Sequence, residues 1–97
     1  MDKVGYAVLT EDGVLNTSGE PVAVYGFHIL SGAGGNGSVV LRNGTTTGGT
    51  AVITEEGTQS QGVTYDFGGV GLVFPSGCFV DFGTNASAVT VFYERLK

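Results

Sequence analysis

The side chains that could form a nucleophilic or metal site are scarce, because the 97 residues include one histidine and one cysteine. A thiolate nucleophile needs a nearby base, and His28 with Cys78 is the pair that could supply one. Neither residue lies in a catalytic motif, and Cys78 alternates with Val80 and Phe82 as a small buried hydrophobe does. The sequence therefore predicts a protein that is not an enzyme. The alternatives to a buried Cys78 are an intersubunit disulfide and a reactive thiol.

Acidic side chains are the other groups that could do chemistry. Carboxylate pairs occur at 11–12 and at 55–56, but adjacent residues of a strand or turn point apart, so we interpret them as solvated turn charges. Asp66 and Asp81 fall on strands predicted to be neighbours, where they could bind a calcium ion together with loop carbonyls. No D-x-D-x-D-G loop accompanies them. We therefore predict neither a metal nor a cofactor.

The glycine-rich loop at 31–37 invites comparison with phosphate-binding loops, which need a following helix and a lysine at fixed spacing. The sequence offers neither. A net charge of −5 with only four Lys and Arg argues against nucleic acid or an anionic membrane as partner. No apolar run approaches the ~20 residues that span a bilayer, and the first residues lack a signal-peptide core. We expect a soluble protein made in a cytoplasm.

Short runs rich in Val, Phe and Tyr, separated by Gly, Pro and Asn, predict β structure throughout the chain. Four such runs between 62 and 94 have the pattern of an antiparallel meander, and Asp12-Gly13 predicts a type I′ hairpin turn after the first strand. Apolar residues do not recur at helical spacing. The prediction is an all-β single domain over 1–97, a small antiparallel β-sandwich of seven or eight short strands with jelly-roll-like wiring.

The run from 22 to 30 is the most apolar of the first half. Strict alternation places Tyr25 and Phe27 on one face and Val22, Val24 and His28 on the other. A strand with apolar residues on both faces is covered on both sides. Because so small and glycine-rich a chain buries only a thin core, we predict that a partner subunit covers Val22, Val24 and His28, and that the protein assembles.

Three stretches carry a resemblance to a known class of proteins. They are VAVYGFHILSG at 22–32, GLVFPSGCFVDFG at 71–83 and VTVFYE at 89–94. Together they resemble small structural proteins encoded beside the head genes of tailed bacteriophages, notably marine and cyanobacterial phages. The resemblance implies a virion protein made in the host cytoplasm. It further implies a capsid decoration or cement protein, often a homotrimer, that sits on the capsid exterior and braces the major capsid protein.

The alternative is a tail or fibre module that binds a glycan of the host surface. Such a module presents two or three exposed aromatic side chains on one sheet face, and four tyrosines are available, at Tyr6, Tyr25, Tyr65 and Tyr93. The sequence has no tryptophan, which is the best stacking platform for a sugar. We therefore expect the tyrosines to pack in the core with their hydroxyls at its rim.

Overall fold

A computed structural model describes residues 5–15 and 18–96 of the chain. This part contains nine β-strands and no helix, and so no helix that is long and apolar enough to cross a membrane. The strands are β1 (Gly5–Leu9), β2 (Gly13–Val14), β3 (Val22–Ser31), β4 (Ser38–Asn43), β5 (Thr50–Glu56), β6 (Gly62–Asp66), β7 (Leu72–Phe74), β8 (Cys78–Phe82) and β9 (Ala86–Arg95). The sequence also places Val4 in the first strand and Asn16 and Thr17 in the loop that precedes Pro21, and these three residues lie outside the described part of the chain.

The strands form two antiparallel sheets. Sheet A has the order β1-β9-β3-β6, with β7 also paired to β3, and sheet B has the order β2-β8-β4-β5. The chain passes repeatedly from one sheet to the other, which is the wiring of a double-sheet jelly roll. The predicted all-β class and sandwich architecture are confirmed, with nine strands in place of seven or eight.

The four runs between 62 and 94 are strands, but they do not form a meander. β6 and β7 both pair with β3, β8 pairs with β2 and β4 in the other sheet, and β9 lies between β1 and β3. Gly and Pro punctuation marks where a strand ends, whereas the partner of each strand depends on which two faces must be buried together. The predicted strand positions are therefore correct and the predicted pairing is wrong.

The turn at Asp12-Gly13 is also different from its prediction. β1 pairs with β9 in sheet A, while β2 pairs with β8 in sheet B, so the turn carries the chain between sheets and does not close a hairpin. The Asp12 carboxylate accepts a hydrogen bond from the Phe82 backbone N–H at 2.8 Å. Asp therefore serves here as a side-chain acceptor that fixes the crossing to β8.

The core lies between the inner faces of the two sheets. Its fully buried side chains are Val22, Val24, Phe27, Ile29, Val39, Leu41, Phe74, Cys78, Val80, Val89 and Val91. The predicted burial of Cys78 in phase with Val80 is confirmed, and Val89 and Val91 of β9 also point inward. Each such aliphatic or aromatic side chain contributes about 1.5–3 kcal/mol when it leaves water.

A β-bulge changes the phase of β3. Val24 pairs with Tyr93 of β9, but the next paired residue on β3 is Gly26, which leaves Tyr25 as an extra residue. An extra residue in one strand reverses which face the following side chains occupy. Val22 and Val24 therefore point into the core before the bulge, and His28 points outward after it. The prediction that Val22, Val24 and His28 share one face is corrected by this bulge.

Candidate protein interaction site

His28 and Cys78 do not meet in the folded chain. His28 lies on the outer face of sheet A, whereas Cys78 is fully buried under the inner face of sheet B. Burial raises the pKa of the Cys78 thiol to about 12, because the thiolate would lose its hydration. The geometry separates the two residues and keeps the thiol protonated, so this pair has no means of acting as nucleophile and base.

The acidic side chains are also dispersed. Asp66 is on sheet A and accepts a hydrogen bond from the Gly68 N–H at 2.7 Å. Asp81 is on sheet B and forms an ion pair with Arg42, with Nε and Oδ2 2.9 Å apart. Asp66 and Asp81 were expected to lie on neighbouring strands. They lie on different sheets instead. Within residues 5–15 and 18–96 no three His, Cys, Asp or Glu side chains come together as metal ligands.

The glycine-rich loop after β3 is held by hydrogen bonds to the rest of the chain. The Gly32 N–H donates to the Asn85 carbonyl at 2.9 Å, and the Gly37 N–H donates to the buried Ser31 hydroxyl at 2.9 Å. The Gln59 side chain donates to the Ala33 carbonyl at 2.7 Å. The backbone of this loop therefore joins neighbouring loops of the fold, and no helix follows it to form an anion site.

Among the residues that the structure describes, the outer face of sheet A collects five of the eight large apolar side chains that are exposed. These are Tyr6 (69% exposed), Val8 (59%), Val73 (51%), Leu30 (44%) and Phe92 (39%). The strand registers place them on one face, because Tyr6 pairs with Phe92 and Val8 pairs with Thr90, while Val89 and Val91 point the other way into the core. Exposed apolar side chains grouped on one face mark a candidate surface for protein interaction.

Two transverse rows of residues cross this outer face from β1 to β6. One row is Tyr6, Phe92, Gly26 and Asp66, and the other is Val8, Thr90, His28 and Thr64. In the second row His28 Nδ1 and Thr64 Oγ1 are 2.8 Å apart and share a hydrogen bond. The His28 ring also covers Gly62, where a Cβ atom would lie 2.4 Å from Nε2. The centre of the face therefore carries the hydrogen-bonded His28–Thr64 pair and is polar.

A groove of about 300 Å³ opens on this face. The residues that line it include Gly26 and Tyr25 of β3, Phe92 of β9, and Thr64 and Asp66 of β6. Gly26 is required there, because a Cβ atom on it would lie 2.6 Å from the Tyr65 carbonyl oxygen. The groove thus follows from the close approach of β3 and β6 beside the bulge.

The four tyrosines are placed differently from one another. The Tyr25 hydroxyl donates to Glu94 Oε1 at 2.8 Å, and this bond with the nearby negative charge raises the pKa of Tyr25 above its ordinary value. Tyr65 and Tyr93 are half-buried, as expected for core tyrosines. Tyr6 and Tyr25 are the exceptions, because most of the Tyr6 surface is exposed beside Phe92 and Tyr25 lines the groove on the outer face.

The outer face of sheet B has a different character. Its central strands carry the Arg42–Asp81 ion pair, and the Arg42 Nη1 also donates to the Gly49 carbonyl at 3.2 Å. Thr54 and Glu56 are exposed on the neighbouring strand β5. The two outer faces of the sandwich are therefore unlike, and sheet A presents the more apolar surface.

The sequence prediction of an interface named three residues, and the structure distributes them. Val22 and Val24 have no exposed surface and pack inside a single chain, while His28 lies at the centre of the apolar outer face. That His28 takes part in an interface stays a prediction. The sequence analysis missed Tyr6 and Phe92 as surface residues. Their alternation with small or buried neighbours is visible in the sequence, but alternation alone does not show which face of a strand packs against the core.

Comparison with known proteins gives a likeness of fold alone. The chain matches no protein-family model and no curated protein sequence. It is similar to a solved structure described as "Bacillus endospore appendages form a novel family of disulfide-linked pili", with a TM-score of 0.52 and 14% sequence identity. The alignment covers 97% of this chain and 88% of that chain. The similarity agrees with the all-β sandwich described above.

Proposed function

We propose that this protein is a non-enzymatic structural subunit that assembles into a larger particle through the outer face of sheet A. The observation that carries the proposal is the group of five large apolar side chains exposed together on that face, as described above. Covering them removes apolar surface from water at about 25 cal/mol per Å². The pilus subunit with a similar fold, itself a component of an assembled appendage by its description, supports a structural role.

The contacts of this assembly are proposed to be non-covalent. The solved structure with a similar fold is described as a disulfide-linked pilus. The one cysteine of the present sequence is buried, and its thiol is protonated at neutral pH. An intersubunit disulfide needs an exposed thiolate. Burial therefore supports packing of surfaces, and not a bond through Cys78, as the means of association.

The particular particle we propose is a phage virion. The resemblance of residues 22–94 to small head proteins supports a capsid decoration or cement protein, with itself and the major capsid protein as partners and the capsid exterior as its location. The net negative charge adds support, because it opposes binding to packaged nucleic acid. In this role the resemblance implies a homotrimer.

Capsids that lack the protein test the virion role directly. Added protein is expected to bind the shells and raise the temperature at which they break, and Phe92→Glu is expected to lose this binding because it places a charge in a desolvated contact. Val52→Glu is the matched control, since Val52 is similarly exposed (43%) but belongs to sheet B. Shells that neither bind the protein nor gain stability would contradict the virion role.

Glycan binding is the second candidate, and one observation favours it. Tyr6 and Phe92 are paired neighbours with exposed rings, and the groove beside them has the Asp66 carboxylate on its wall. Adjacent rings can stack on a sugar while a carboxylate accepts its hydroxyls. A glycan array tests this candidate: binding that is lost in Phe92→Ala supports it, and an array without hits contradicts it.

A further inference from the structure

The outer face of sheet A is complementary to itself. Across the seam between β9 and β3, large residues stand beside small ones, with Phe92 next to Gly26 and Leu30 next to Ala88. Thr90 stands beside His28 in the row between them. A closed pair of identical subunits requires this kind of surface, because residue i must fit residue j and j must fit i.

We propose that two copies of this chain pack sheet A against sheet A around a twofold axis that runs parallel to the strands, above the gap between β9 and β3. Such an axis places each residue of β9 over its own register partner on β3 of the other copy. Phe92 then enters the groove above Gly26 of the second copy, and Leu30 covers its Ala88. This inference rests on the proposed assembly role: the pair, formed through the outer face of sheet A, is the unit that joins the particle, and it replaces the expected trimer contact.

The same axis brings the edges of the face together. β1 of one copy lies over β6 of the other, so Tyr6 meets Asp66 of the second copy and Val8 meets its Thr64. A phenol is a hydrogen-bond donor for a carboxylate, and Asp66 is left with acceptor capacity after its bond to Gly68. The Asp66 carboxylate of each copy thus accepts a hydrogen bond from the Tyr6 hydroxyl of the other copy.

The size of the face sets the expected affinity. Four strands about 4.8 Å apart and outward residues over about 20 Å of strand give a face of about 400 Å² on each copy. A total of about 800 Å² is small for a protein interface, and corresponds to a weak or transient pair. We therefore expect a dissociation constant in the micromolar range.

The contact between Tyr6 and Asp66 gives the sharpest test, because only the second copy can bring them together. Within one chain β9 and β3 separate these residues by about 14 Å, beyond the ~8 Å screening length at physiological salt. Sedimentation equilibrium from ~1 μM to ~1 mM would compare Tyr6→Glu with Tyr6→Lys. Both remove the ring, and they differ in the sign of the charge that faces Asp66.

We expect Tyr6→Glu to dimerise at least about tenfold more weakly than Tyr6→Lys, and Asp66→Asn to abolish that difference. Leu30→Glu, at the far end of the face, is a second variant that must also weaken the pair. Circular dichroism checks the fold of each variant. Three results would each overturn the twofold pair. They are equal dissociation constants for Tyr6→Glu and Tyr6→Lys, an unchanged dissociation constant for Leu30→Glu, and a wild type that is monomeric at ~1 mM. An oligomer insensitive to these changes would leave the structural role itself standing.

Discussion

At the residue scale, Cys78 illustrates how burial decides reactivity. Its side chain is enclosed by the core and its thiol pKa rises to about 12 from an ordinary value of 9.0, with desolvation as the cause. The neutral thiol is the favoured form in the folded protein. A raised folded-state pKa stabilises the fold fully below the unfolded pKa, and this contribution is lost as the pH rises toward the folded pKa.

Alkaline unfolding of Cys78→Ala and wild type tests this account. Between pH 7 and pH 10.5 the wild type is expected to lose about 2 kcal/mol of stability relative to Cys78→Ala, since each pKa unit corresponds to about 1.4 kcal/mol. Urea titrations at pH 7, 9 and 10.5 measure the difference. Because Tyr25 and Tyr65 also have raised pKa values, the comparison with the variant isolates the thiol. A difference that stays constant with pH would contradict the account.

Gly26 is the second residue with a decisive local role. Its missing Cβ atom permits β6 to approach, and a methyl group there would lie 2.6 Å from the Tyr65 carbonyl oxygen. Gly26→Ala is expected to lower the free energy of unfolding by about 1–3 kcal/mol through forced backbone movement. Gly5→Ala is the matched control, since nothing lies within 4 Å of its added Cβ, and it should stay within about 0.5 kcal/mol of wild type.

Chemical denaturation measures both glycine variants. Equal stability of Gly26→Ala and Gly5→Ala would show that β3 and β6 can separate at little cost. The close approach beside the bulge would then not explain why the groove exists.

At the element scale, the bulge in β3 determines which side chains face the core. Val24, before the bulge, is fully buried, while His28, after it, lies on the outer face. Val24→Ala is therefore expected to lower the free energy of unfolding by about 2 kcal/mol, from lost burial and the cavity left behind. His28→Asp is expected instead to weaken association while leaving unfolding nearly unchanged.

Denaturation and sedimentation of the two variants separate these effects. The bulge assignment predicts that each variant changes a different measurement. It would be contradicted if Val24→Ala weakened association without loss of stability, or if His28→Asp unfolded the monomer.

The strands differ in how well the sequence predicts them. β9 alternates cleanly, so Val89 and Val91 could be grouped on one face and Phe92 on the other from the sequence, although the sequence did not show which face points inward. The faces of β3 could not be assigned from the sequence. Tyr25 and Gly26 interrupt a run in which both alternating sets of residues are apolar, and a bulge does not change the hydrophobic pattern of such a run. Local alternation fixes the phase of a strand only where one face is polar.

The candidate site was harder to predict than the fold. The sequence grouped His28 with Val22 and Val24 as interface residues, yet the two valines belong to the core and a role of His28 in an interface stays a prediction. Tyr6 and Phe92 lie 86 residues apart in the numbering and become neighbours only through the pairing of β1 with β9. Turn and strand propensities do not determine such long-range pairing, because it depends on closing two sheets around one core.

At the scale of the whole molecule, the two outer faces make the sandwich one-sided. Sheet B displays an ion pair and exposed polar groups, and sheet A displays aromatic and aliphatic side chains around a groove. A net charge of −5 favours solubility of the free chain and steers it toward less acidic partners. Such a molecule is suited to burying one face in an assembly while the other remains in water.

The mass of the purified protein in solution shows whether the chain assembles through the outer face of sheet A. Sedimentation equilibrium over ~1 μM to ~1 mM is expected to show reversible association of the wild type. Phe92→Glu should remain monomeric and Val52→Glu should associate like wild type, because these two exposed residues lie on opposite sheets. A wild type that stays monomeric throughout, or a Phe92→Glu variant that associates as strongly as wild type, would contradict assembly through the outer face of sheet A.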